Sequence, residues 1–312
     1  MTDKKSKISI IIPTKNRFQD IIKCIESILI QTLLPDEIVI VDSSDTEELK
    51  SNLDDLFHDK IAFKYIHAPL SLTQARNVGI KESTGDIIIF LDDDVILDKE
   101  YIKEIMHVFN NDLEKKVGGV TGNIINTEIK SHSFKHLIGS NIMHILATIF
   151  FLFKYSDGKF QPSGWPTFTR SDKVTKIECL SGANMAFRRE MFDEFKFDEN
   201  LHGYSFMEDD DISYRVSRKY QNIYTPFARL IHNVSPAARD KEHERMKMTI
   251  ENHYYLFKKN FPQTLKHKFA FWWSVVGLFV LAIIGRNKEG LKGLMDGIRS
   301  AYSRSDFSNL EG

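Results

Sequence analysis

The sequence predicts an α/β fold: a mixed, mostly parallel sheet flanked by helices, followed by a hydrophobic helical segment near the C-terminal end. Three observations carry that expectation. Short apolar, largely β-branched runs at 8–12, 38–41, 62–66 and 87–91 are nearly continuous, as strands covered on both faces must be. Segments with helical apolar spacing lie between them, so strand and helix alternate over residues 1–117. Residues 269–284 are then sixteen positions without a charge, flanked by Lys266 and Lys268 before and Arg286 and Lys288 after.

The polar opening from Met1 to Lys7 leads into five apolar-type positions before Pro13. A secretory apolar core needs about 7–15 residues, so the run predicts a buried first strand and a chain that stays in the cytoplasm. Phe18, Ile21, Ile22, Ile25, Ile28 and Leu29 then predict an amphipathic helix, and Tyr101, Ile102, Ile105, Met106 and Phe109 predict another. The pattern is that of a nucleotide-binding half, although it holds neither a GxGxxG nor a Walker sequence. From Gly118 the alternation breaks down. Strands are expected at 117–125 and 177–180, separated by a long connection with an apolar run at 142–153, a length typical of functional insertions. A helix is expected at 208–220 and another through Met246, Ile250, Tyr254 and Phe257, with a more polar one at 290–302. Three regions follow: 1–117, 118–240 and 241–312.

Lys plus Arg number 42 and Asp plus Glu 43, so no general field favours nucleic acid, and partners must be recognised locally. Cys24 and Cys179 stand far apart, with no spacing for a disulfide framework or a zinc site.

The strand at 87–91 runs directly into Asp92-Asp93-Asp94. Ligands of open α/β sheets bind at the carboxyl ends of strands. In extended chain Asp92 and Asp94 point to one side and Asp93 to the other, so two carboxylates converge and call for a divalent cation, magnesium or manganese, which also bridges phosphate oxygens. A helix N-cap followed by solvated acids is the competing explanation, since Asp98 and Glu100 open a helix.

These residues, taken with five other segments in order, make the chain resemble glycosyltransferase family 2. The segments are Ser9-Ile10-Ile11-Ile12-Pro13-Thr14-Lys15-Asn16-Arg17, Glu37-Ile38-Val39-Ile40-Val41-Asp42, Gln74-Ala75-Arg76-Asn77-Val78-Gly79-Ile80, Ser181-Gly182-Ala183-Asn184-Met185-Ala186-Phe187-Arg188-Arg189 and Glu208-Asp209-Asp210-Asp211-Ile212-Ser213-Tyr214-Arg215. The resemblance implies a GT-A fold, an inverting mechanism and a nucleotide-sugar donor. It places Pro13, Thr14, Asp42, Arg76 and Asp93 on the nucleotide sugar, Asp92 on its ribose or on the metal, Asp94 on the metal, and Gly182 and Asn184 on the acceptor side. It also makes His232 the late histidine that completes the metal shell or contacts the diphosphate. Asp42-Ser43-Ser44-Asp45 departs from the family's Asp-Asp-Gly-Ser, which leaves uracil, thymine and guanine open as the base. Asp42 also suits an Asx turn, and Arg76 a structural ion pair.

On the helix through 208–220, Asp209 shares a face with the apolar Ile212 and Val216, while Glu208, Asp211 and Arg215 lie on another, Asp211 and Arg215 as an i, i+4 pair. A carboxylate on an apolar face needs a task, and Asp209 is expected to be the general base that takes the acceptor hydroxyl proton. Trp165, in a Gly/Pro loop, offers a ring for stacking on a sugar or lipid on the acceptor side. As a helix the run 269–284 spans about 24 Å, short of a hydrocarbon core of about 30 Å, so it predicts a monotopic or re-entrant anchor near a lipid-linked or saccharide acceptor at the cytoplasmic face; a buried C-terminal helix pair is the alternative. The rival functional classes are a nucleotidyltransferase and an inactive sugar- or nucleotide-binding module.

Overall fold

The structure, a computed structural model, describes residues 6–47, 49–50, 53, 61–127, 142, 144–201, 204–233 and 241–303. The chain divides into two compact units, each assembled from separated stretches: Met1–Glu128, Arg170–Glu199 and Glu208–Arg239 form the first, and Ile129–Thr169, Asn200–Met207 and Asp240–Gly312 the second.

The first unit is built on a mixed sheet. Its strands are β1 (Ile8–Thr14), β2 (Glu37–Asp42), β3 (Ala62–His67), β4 (Ile87–Leu91), β5 (Val95–Leu97) and β6 (Val117–Ile124), then β9 (Thr175–Ile177), β10 (Asn184–Arg188) and β11 (Gln221–His232). The order is β3-β2-β1-β4-β10-β6-β11-β5, with β9 also on β11. The edge β3-β2-β1-β4 is parallel throughout, β10 runs antiparallel between β4 and β6, and β11 is parallel to β6. The continuous hydrophobicity of β1 and β4 is explained by helices on both faces. Ile8, Ile10, Ile12, Ile87, Ile89 and Leu91 pack against Ile21, Ile25 and Ile28 of α1 (Phe18–Leu29) and Ile102, Ile105 and Phe109 of α3 (Tyr101–Asn110). The alternate residues Ile11, Ile88 and Phe90 pack on the other face against Ala75 of α2 (Leu72–Glu82) and Ile212 and Val216 of α4 (Glu208–Ser217). Side chains alternating with a period of two thus fill two separate cores.

One expectation is corrected. The segment 181–189, read as an acceptor-side loop, becomes loop only as far as Ala183; Met185, Ala186 and Phe187 are fully buried and form β10, central in the sheet. The strand expected at 177–180 ends at Ile177. Apolar residues between two strands with open edges are worth more as a third strand than as an exposed loop.

In the second unit β7 (Lys154–Tyr155) pairs with β8 (Thr167–Phe168), and the core is formed largely by α5 (Glu242–Asn260), α6 (Leu265–Ile284) and α7 (Lys288–Ser303). Thr264 caps α6 by accepting from the His267 amide, so the helix starts four residues before the apolar run and has 20 residues, about 30 Å. By length and composition it is apolar enough to cross a membrane. One of its faces (Phe271, Ser274, Val275, Leu278) is buried in the unit, while Phe269, Val276 and Ile283 are exposed at intervals of seven. Residues 144–149 are helical, and the Trp273 indole donates to the Ile149 carbonyl at 2.8 Å.

Candidate active site

The acidic triplet begins where β4 ends, at the carboxyl end of a strand with all five residues buried. The chain turns there and returns as β5, whose Val95 pairs with His232 at the end of β11. That register, fixed further by the Asn233 amide donating to the Asp94 carbonyl at 2.8 Å, brings His232 to the triplet. His232 Nε2 lies 2.9 Å from Asp94 Oδ1 and 4.0 Å from Asp92 Oδ2. One ligand atom from each of Asp92, Asp94 and His232 falls within 4.8 Å of the others. A six-coordinate cation with bonds of about 2.1 Å separates adjacent ligands by about 3 Å and opposite ones by about 4 Å, so the donors and spacings present fit manganese or magnesium. Burial pulls the His232 ring down, but the hydrogen bond and charge of Asp94, with Asp92 behind it, outweigh burial and hold it above its ordinary value. Burial likewise raises Asp92, against the lowering charges of Arg76 and His232.

Asp93, in the turn with Asp94, lies outside the converging set of Asp92, Asp94 and His232 and is 3 % exposed. Its oxygens accept from the Thr14 hydroxyl at 2.7 Å and the Arg17 guanidinium at 3.0 Å. Burial pushes its carboxyl up to about 7 even with Arg17 beside it. Asp93 was expected on the nucleotide sugar; instead it is a brace under the triplet. Pro13 is buried at the end of β1, where it pairs with Val41.

Thr14, Asp42, Asn16, Arg17 and Ser44 line a cavity of about 240 Å³. Asp42 is fully buried; one oxygen accepts the Ser44 amide at 2.8 Å, an Asx turn, and the other accepts the Tyr65 hydroxyl at 2.7 Å. Asn16, in the left-handed region at φ 54°, ties the same loop by exchanging hydrogen bonds with Asp45 at 2.9 and 3.1 Å.

Arg76 is 1 % exposed and lies over the Phe197 ring, so the position expected on the donor is an internal hub. It bonds the Glu208 carboxylate, Asp92 Oδ1 at 3.4 Å and the Gly182 carbonyl at 3.1 Å. The acidic start of α4 also departs from the helical-face reading. Ile212 and Val216 are fully buried as expected, but Glu208 and Asp211, placed on another face, are buried as well. Each is matched by an arginine: Glu208 by Arg76, and Asp211 by the anticipated Arg215 at 2.6 Å. Asp210 accepts the Cys179 thiol at 3.3 Å. Asp209 instead accepts two backbone amides, Gly182 at 2.8 Å and Asp210 at 3.0 Å. Burial raises its carboxyl, and Arg76 and the amides pull it back only in part. A Cβ at Gly182 would lie 2.8 Å from Asp209 Oδ2, so only glycine permits this approach.

Two expected acceptor contacts are not offered. Asn184 is fully buried and its side-chain oxygen takes the Thr121 hydroxyl at 2.8 Å and the Gly122 amide at 2.6 Å, tying β10 to β6. Trp165 belongs to the second unit, is 3 % exposed, donates to Ser274 at 3.2 Å and packs 4.2 Å from the His253 ring, so it has no open face for stacking. Arg17, Tyr65 and Asn126 were not singled out from sequence. Asn126 clamps the His232 backbone, donating to its carbonyl at 2.8 Å and accepting its amide at 2.9 Å. Only Arg17 carried a signal, its place directly after β1 on the ligand side of the sheet.

Residues 9–196, more than half of the chain, match the family described as Glycosyl transferase family 2, and the chain belongs to that family. An uncharacterized glycosyltransferase of Rickettsia felis is 38 % identical over 99 residues, 31 % of this chain and 16 % of that protein. The GalNAc(5)-diNAcBac-PP-undecaprenol beta-1,3-glucosyltransferase of Campylobacter jejuni is 30 % identical over 126 residues, 37 % of this chain and 41 % of that protein. The chain therefore spans well under half the length of these two relatives. The mannosyltransferase PcManGT of Pyrobaculum calidifontis, solved with GDP-Man and Mn2+, superimposes with a TM-score of 0.60 at 14 % identity, covering 96 % of this chain and 88 % of that one. The shared architecture is the GT-A-like α/β fold.

Proposed function

We propose that the chain transfers a sugar, with inversion, from a nucleotide-sugar donor to an acceptor hydroxyl, in cell-surface polysaccharide or glycolipid synthesis. The observation that carries the reading is the convergence of Asp92, Asp94 and His232 at the strand ends of the unit that also fixes Asp209 on the Gly182 amide. Asp94 and His232, with Asp92, would hold Mn2+ or Mg2+, which when bound offsets negative charge on the departing diphosphate. Asp209 accepts the proton of the acceptor hydroxyl while that oxygen bonds to the anomeric carbon and the bond to the nucleoside diphosphate breaks; no covalent enzyme intermediate is needed. The raised Asp209 carboxyl suits a base, and the backbone amides fix its direction. Arg76 and Glu208 keep the Gly182 turn, Asp92 and α4 in register, and the cavity beside Asp42 and Thr14 takes the nucleoside. Residues 1–117 in this reading serve the donor, 118–240 the acceptor and the chemistry, and 241–312 a membrane surface.

Support for the membrane comes from the exposed Phe269, Val276 and Ile283 stripe of α6 with exposed Ile145 and Ile149, beside Lys266 and Lys268. The polyprenol-linked acceptor in the name of the Campylobacter jejuni relative makes a lipid-linked acceptor at the cytoplasmic face the natural choice. Family membership speaks against the nucleotidyltransferase, and the assay decides against or for an inactive binding module. That assay is a panel of uridine, thymidine and guanosine diphosphate sugars scored for manganese-dependent release of free nucleoside diphosphate, with EDTA as control. Release from one base class is expected; none from any donor, with or without membrane lipid extract, would leave a binding module.

A further inference from the structure

Arg17 stands at the entry to α1, and its carbonyl accepts the amides of Asp20 and Ile21 while its side chain makes no capping bond. The guanidinium turns instead to the triplet, 3.0 Å from Asp93 Oδ1 and 3.5 Å from Asp94 Oδ2, with 12 % of the side chain exposed. The same residue lines the cavity shared by Thr14, Asn16, Asp42 and Ser44. It is therefore common to the nucleoside cavity and to a carboxylate of the cation cluster. A diphosphate attached to a nucleoside in that cavity, and bridged to a cation at Asp94, has to run past it.

We propose that Arg17 binds the donor diphosphate, and that before the donor arrives it shares Asp94 with His232 as a counter-ion. The assignment rests on the donor-site reading above. A guanidinium presents planar, paired donors that match phosphate oxygens. A dication on Asp94 would repel the guanidinium that lies 3.5 Å from the same carboxylate, while two phosphate groups would offer a replacement for the lost carboxylate. The shorter contact to Asp93, which Thr14 holds in place, anchors the side chain while it exchanges Asp94 for phosphate. Cation and arginine thus compete for one carboxylate in the empty site and cooperate once the diphosphate bridges them.

The test uses the full chain as wild type, Arg17→Gln and Arg17→Lys, with thermal unfolding to establish that each is folded. Free Mn2+ measured by electron paramagnetic resonance, without nucleotide, gives cation affinity; calorimetry with UDP and GDP at saturating Mn2+ gives diphosphate affinity. Arg17→Gln is expected to bind Mn2+ about fivefold more tightly, because a competing charge is gone, and to bind the diphosphate at least about tenfold more weakly. Arg17→Lys keeps the charge and loses the fork, so its Mn2+ affinity stays at the wild-type level and its diphosphate affinity falls in between. Parallel weakening of Mn2+ and diphosphate in Arg17→Gln would reduce the residue to a structural brace, and unchanged diphosphate affinity would also overturn the assignment. A wild type that binds neither diphosphate removes the donor-site reading itself, an outcome distinct from failure of the variants.

Discussion

Acidification tests the second unit through His253. This histidine is 1 % exposed, one ring nitrogen lies 2.9 Å from the Ser163 carbonyl, and the ring sits 4.2 Å from Trp165 and 4.9 Å from Phe271. Burial in this aromatic box drives its pKa down to about 3, because a charged imidazolium there would lose water and gain only one carbonyl. An unfolded chain titrates the same group near 6.5, so between about 6.5 and 3 the unfolded state binds the extra proton and stability falls as pH falls. The contribution is fully present above about pH 6.5 and is lost through the folded value. Each pH unit is worth about 1.4 kcal/mol, which gives about 2 kcal/mol at pH 5 and between 4 and 5 kcal/mol, roughly, across the whole interval. The chain's three tryptophans, Trp165, Trp272 and Trp273, all lie in the second unit, so fluorescence-detected urea unfolding reports on that unit. The urea midpoint should drop from pH 7 to pH 5 in the wild type and lose most of that drop in His253→Phe, whatever the variant's absolute stability. An equal drop in both proteins would mean that groups other than His253 carry the acid sensitivity.

Asp209→Asn keeps the shape and one acceptor atom but cannot take a proton, so transfer at saturating donor should fall by about 10² to 10⁴ with donor affinity preserved. A near-normal rate would move the base elsewhere. Gly182→Ala places a methyl 2.8 Å from Asp209 Oδ2 and should lower turnover while nucleoside diphosphate binding stays within about twofold; unaltered turnover would separate the Gly182 turn from catalysis. Val276→Glu puts a charge in the exposed stripe of α6, where the residue is 45 % exposed, and should abolish flotation of the full chain with anionic vesicles without unfolding it. Equal flotation, or none by the wild type, would dismiss the membrane surface.

The parallel half of the sheet was legible because its strands are largely buried and so written as nearly uninterrupted apolar runs, as in Ile87 to Leu91, where all five residues are buried. The Asp92, Asp94 and His232 cluster was legible in part. Alternation paired Asp92 with Asp94, although the triplet turns rather than staying extended, and His232 joins them through a β5–β11 register that no local pattern specifies. The burial of Glu208 and Asp211 escaped a helical-face argument because their partners decide it, and Arg76 lies 132 positions away from Glu208. The strand at Asn184–Arg188 was hidden for a related reason, since five residues between β4 and β6 acquire their hydrogen bonds only from strands distant in sequence. Trp165 shows the opposite error: Gly and Pro neighbours suggested exposure, and a hydrogen bond to Ser274 with the His253 ring against it buries the indole.

In the proposed function Asp94, with His232 and Asp92, holds a cation that binds the donor's diphosphate. Calorimetric titration of the matching nucleoside diphosphate, with manganese and with EDTA, into wild type and Asp94→Ala tests it most directly. The wild type is expected to bind only when manganese is present, and Asp94→Ala to show no measurable manganese-dependent binding, because the cation has lost the carboxylate that lies 2.9 Å from His232. Equal affinity in the two proteins, or wild-type binding indifferent to EDTA, would contradict it and reduce the triplet to a structural turn between β4 and β5.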